Sequence, residues 1–147
     1  MSANTKPPLY SLSGTERIQS PEMVAVVDLT RVDGARFDRL RGGPTGEHSK
    51  PDERSDCWGL GCLLFEIVVG DFLFDTADWA RFFMLLSDEK MGPLPEEDCV
   101  RKIEEVVGKE AGEIVVKMMR MCLSRERERR IAAAELAKRC DSICEDM

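Results

Sequence analysis

An all-α chain is the fold class this sequence predicts, and three observations carry it. Apolar residues recur at helical spacing through most of the chain. Capping residues and helix breakers divide those stretches into segments of ordinary helix length. No segment alternates apolar and polar residues with the period of two that a half-buried strand needs, and no internal repeat is present.

Residues 1–19 are polar and turn-rich, with Pro7-Pro8 and the small-residue cluster Ser11-Leu12-Ser13-Gly14, and are expected to be extended. Ser20-Pro21-Glu22 predicts a helix start: serine caps free amides, proline suits the first helical position, and glutamate complements the positive end. A short helix over 21–29 follows. Residues 30–54 are rich in glycine and charge without an apolar period, so they read as a long inserted loop with a helical piece near Phe37 to Leu40.

From 55 to 69 the pattern changes. Cys57, Trp58, Leu60, Cys62, Leu63, Leu64, Phe65, Ile67, Val68 and Val69 occupy nearly every side of a helical wheel, which predicts a central helix buried all round. Asp56 is a candidate cap for its start, and Gly70 ends it. Asp75 and Thr76 offer the next cap, for a helix over 76–87 carrying Trp79, Phe82, Phe83 and Leu86 as a core stripe. Beyond Pro93 and Pro95, Val100, Ile103, Val106 and Val107 mark a charged helix with one apolar face, and Gly108 separates it from a helix over 110–123. Ile114, Val115, Met118, Met119 and Cys122 are its expected inward residues. Residues 124–130 read as a polar connection, and 132–144 are rich in strong helix formers.

The 147 residues suit one domain, and 43% apolar with 33% charged residues is the balance of a chain able to bury a core. A net charge of −7 argues against a general nucleic-acid binder, whose affinity rests on many Lys and Arg contacts to phosphate. The longest apolar run, 59–65, falls far short of the roughly 20 residues of a membrane span. The first residues lack the apolar core of a signal peptide, so the cytosol or nucleus is the expected compartment. Six cysteines without a C-x-x-C pair, and a single histidine, His48, in a glycine-rich run, predict free thiols and no metal site. With no acid or nucleophile beside it, His48 has no catalytic argument.

Three segments resemble, in order, the C-terminal half of the eukaryotic protein kinase domain. Gly14-Thr15 followed by Ser20-Pro21-Glu22 is similar to the end of an activation segment with its A-P-E motif. The run Ser55-Asp56-Cys57-Trp58-Gly59-Leu60-Gly61-Cys62 resembles the family's Ser-Asp-x-Trp-Ser-x-Gly-Cys at the start of its buried F helix. Cys122-Leu123, Arg130 and Glu135-Leu136 resemble the Cys-Leu, Arg-Pro and Glu-Leu pattern that closes the domain. The resemblance implies an activation-segment-like stretch over 1–19, the helical C-lobe portion of the fold over 20–140 without the N-lobe sheet, and a tail over 141–147. It implies an ion pair between Glu22 and Arg130 that anchors the activation segment, Asp56 as acceptor for the catalytic-loop backbone, and Trp58 and Gly61 as parts of the F-helix motif. Thr15 matches the threonine of serine/threonine kinases, and Tyr10, Ser11 and Ser13 stand where activation-loop phosphorylation occurs. Serine at 20, Ile18, Gly59, Arg127 and Ile131 depart from the family's usual residues.

Phosphoryl transfer in the family requires a glycine-rich loop, a lysine with its glutamate, an H-R-D aspartate, and a D-F-G aspartate with an asparagine for metal. None of these motifs occurs in the 147 residues. The expectation is therefore a partial serine/threonine kinase domain, inactive alone, with no cofactor of its own although the family uses ATP and magnesium. The alternative is a stand-alone helical interaction module, a pseudokinase-like remnant, with docking surface at 76–87 and 96–113. Either reading expects protein partners or a protein substrate, and no nucleic acid, membrane or metal.

Overall fold

The computed structural model describes residues 19–22, 52–74 and 77–146, and every regular element among them is helical. Five α-helices occur there: α1 (Glu53–Val69), α2 (Trp79–Ser87), α3 (Glu97–Val107), α4 (Lys109–Cys122) and α5 (Ala133–Asp146). Two single 3-10 turns, Glu89–Met91 and Arg127–Arg129, join α2 to α3 and α4 to α5. Pro21 and Glu22 are helical, and the remainder of the helix expected over 21–29, the piece near Phe37, and His48 lie outside the described residues.

Helix α1 is the hub, packing against α3, α4 and α5, while α3 and α4 pack on one another. It starts earlier than expected. Asp52 is the cap, its side chain accepting from the backbone amides of Arg54 and Ser55 at 3.1 Å each. Glu53 and Arg54, assigned to the loop, therefore belong to this helix, and Asp56 is an exposed acid in the first turn, favourable to the helix dipole but not its cap. Gly70 closes the helix with φ 79°, donating to the Glu66 carbonyl at 2.8 Å, a left-handed conformation that favours glycine.

The expected all-round burial of α1 is corrected by the structure. Cys57, Trp58, Gly61, Cys62 and Phe65 face the core, whereas Leu60, Leu63 and Ile67 are 49%, 44% and 73% exposed. A wheel apolar on every side fixes no orientation by itself, so the choice falls to the partners available, and these cover only one side. The core built on the covered side joins Trp58 and Phe65 to Phe74, Phe82, Leu86, Ile103, Val116 and Met119. The Trp58 and Phe74 rings stack with centroids 6.0 Å apart and 7° between planes, and Phe82 meets Phe74 edge-on at 5.8 Å.

In the remaining helices Phe82, Phe83, Leu86, Ile103, Met119 and Cys122 are buried as expected, while some boundaries and neighbouring positions differ. α2 begins at Trp79 with Asp78 as cap, while Asp75 and Thr76 lie outside the described residues. On α3 only Ile103 is fully buried, and Val106 and Val107 are exposed. On α4 the inward stripe is Gly112, Val116, Met119 and Cys122, and Ile114 faces out. Three adjacent apolar residues, Ile114, Val115 and Val116, made the one-position error invisible to spacing. α5 runs unbroken to Asp146, so the boundary drawn at 140 falls inside a helix.

Gly61 sets the distance between α1 and the end of α4. A Cβ there would lie 2.8 Å from the Cys122 Cβ and 3.0 Å from the Leu123 side chain. The Gly61→Ala variant is expected to lose about 1–3 kcal/mol of stability through overpacking, measured as a lower urea midpoint at unchanged slope.

Candidate functional site

The node that holds the amino-terminal segment to the helices is built on Glu22 and Arg130, both side chains fully buried. Nη1 of Arg130 donates to Glu22 Oε1 at 2.6 Å and Nη2 donates to Oε2 at 2.9 Å, a two-pronged pairing that fits guanidinium to carboxylate. The same guanidinium donates through Nε to the Ser124 carbonyl at 3.0 Å, through Nη1 to the Arg54 carbonyl at 3.0 Å, and through Nη2 to the Arg125 carbonyl at 3.4 Å. Every nitrogen of the cation is thus engaged. Burying two charges is costly unless the leftover donors and acceptors are satisfied, and here they are. Ser55 Oγ donates to Glu22 Oε1 at 3.2 Å. The Trp58 ring lies under the cation, 5.2 Å from centroid to guanidinium carbon, adding a cation–π contact.

A second layer ties the same residues to the start of α1. Nη1 of Arg54 donates to the carbonyls of Arg127, Glu128 and Arg130 at 3.1, 3.0 and 2.7 Å, satisfying the 3-10 turn before α5. Arg127 pairs with Asp52, so one carboxylate both caps α1 and holds that turn. Burial raises the Asp52 pKa, but hydrogen bonds from the Ser55 amide and Arg127, with the Arg127 charge, outweigh it and hold the carboxyl below its usual value of 3.8.

Of the residues singled out in sequence, Ser20, Pro21, Glu22, Trp58, Gly61 and Arg130 are buried. The structure brings Glu22, Trp58 and Arg130 together in this node, places Gly61 a turn further along α1 against Cys122, and leaves Asp56 exposed. Tyr10, Ser11, Ser13, Gly14 and Thr15 lie outside the described residues. Sequence reasoning missed Asp52, Arg54 and Arg127, which look like members of a solvated charge run. It also missed Arg125, buried and donating to the carbonyls of Leu85 at 2.6 Å and Gly92 at 2.9 Å. The only local signal was an excess of arginine over lysine across 124–130, the preference of sites that need planar, multi-pronged donors.

The cysteines are all free thiols. Cys57 and Cys122 are buried beside Leu136, with Cys140 packed against them, and burial pushes the Cys122 pKa up to about 11 and that of Cys62 higher still. Such thiols are inert packing groups. Among the described residues no group of His, Cys, Asp and Glu is placed to hold a metal ion, and no helix is long and apolar enough to cross a membrane. The node is a clamp: it fixes one segment against another and presents no group that moves a proton or activates a nucleophile.

A probable serine/threonine-protein kinase of Dictyostelium discoideum is 41% identical over 71 residues, 48% of this chain. A serine/threonine-protein kinase of Arabidopsis thaliana is 42% identical over 41 residues, 28% of this chain. Part of this chain is therefore related in sequence to serine/threonine protein kinases. The matched stretches span 3% and 10% of those two proteins. No protein-family model matches the chain, and no solved structure does.

Two outcomes follow from the node. Glu22→Gln and Arg130→Met are each expected to cost about 3–5 kcal/mol, because each strands a buried charge, and the double variant to cost clearly less than their sum. Asp52→Asn keeps a cap but loses the Arg127 pairing, an expected loss of about 1–2 kcal/mol at neutral pH. Since the folded Asp52 pKa is lowered, its contribution is complete above the unfolded value and fades as pH falls through the folded one. The stability gap between wild type and Asp52→Asn, from urea titrations at stepped pH, is therefore expected to close below about pH 4.

Proposed function

We propose that this chain is a portion of a serine/threonine protein kinase, the helical C-lobe from the end of the activation segment onward, and that alone it is not catalytic. The observation that carries this reading is the buried pairing of Glu22 with Arg130. The motif resemblance matches those residues to the family's anchoring pair, and charged side chains are seldom fully buried unless they are paired. The sequence relationship to two serine/threonine kinases supports the same family. On this reading the clamp holds the end of the activation segment, Thr15 corresponds to the family threonine that helps hold the catalytic groups beside the substrate hydroxyl, and Tyr10, Ser11 and Ser13 are phosphorylation sites. Protein partners or a protein substrate in the cytosol or nucleus belong to the same proposal.

Loss of catalysis follows from the chemistry that phosphoryl transfer requires. Without a glycine-rich loop, a lysine for the phosphates, a base, or aspartate and asparagine for magnesium, these residues have no means of placing a triphosphate or neutralising its charge. Isothermal calorimetry with Mg-ATP is expected to give no heat of binding, and incubation with radiolabelled ATP and a generic protein substrate no incorporation. Tight nucleotide binding would overturn the reading.

The exposed stripe Leu60, Leu63 and Ile67, with Val106, Val107 and Ile114 on the α3 and α4 hairpin, favours a second reading, a helical interaction module that works through surface contacts. The transcript upstream of Met1 separates the two. An open frame running into D-F-G, H-R-D and a glycine-rich loop makes this the tail of an active kinase. A start codon preceded by no such frame makes it a remnant that acts by binding.

A further inference from the structure

We draw no further inference here: the strongest candidate, the seam of exposed residues Glu53, Asp56, Leu60, Leu63 and Ile67 along α1, carries nothing because nothing in the structure shows what covers it.

Discussion

Everything described at the amino-terminal end of this molecule depends on one buried ion pair. Glu22 and Arg130 cannot be buried singly, since either charge alone in an apolar interior is prohibitively unfavourable, so the segment around Glu22 and the turn before α5 are ordered together or not at all. The surrounding arrangement follows from satisfying what the pair leaves over. Ser124, Arg125 and Arg54 supply carbonyls to the guanidinium, Ser55 supplies a hydroxyl to the carboxylate, and Trp58 supplies a flat face. The turn that delivers Arg130 is in turn secured by Arg54 and by the Asp52 and Arg127 contact. A cluster of opposite charges that looks like solvated surface in the sequence is, in space, a closed set of donors and acceptors.

Helix α1 shows how burial and composition part company. Its residues are apolar on nearly every side, yet packing partners cover only the side bearing Trp58, Cys62 and Phe65. Leu60, Leu63 and Ile67 on the other side stay exposed among the described residues.

How much of this was legible in sequence depended on the kind of interaction. The all-helical class, the hub position of α1 and the Gly70 stop could be read because spacing, capping and glycine conformation act over a few residues. The Glu22 and Arg130 pairing was reachable only through the motif resemblance, since no local rule links two residues so far apart. On α4, Met119 and Cys122 are inward as read, but adjacent β-branched residues hid the choice of Val116 over Ile114, and the start of α1 was missed because Asp52 and Asp56 are equally good caps by type. Arg125 showed only in the arginine excess across 124–130, because burial of an arginine by two backbone carbonyls leaves no trace in a pattern of apolar residues.

The clamp also dictates an order of events during biosynthesis. Glu22 and Arg130 are separated by 108 positions along the chain. A ribosome adding some 5–20 residues per second makes Glu22 wait about 5–20 s before its partner is even synthesised. Throughout that interval the carboxylate has no Arg130 to pair with, while the residues of α1, α2, α3 and α4 are added. Loop closure over such a span is entropically costly and is repaid only at the end. The pairing that closes this node can form only after the residues of α1 through α4 have been made.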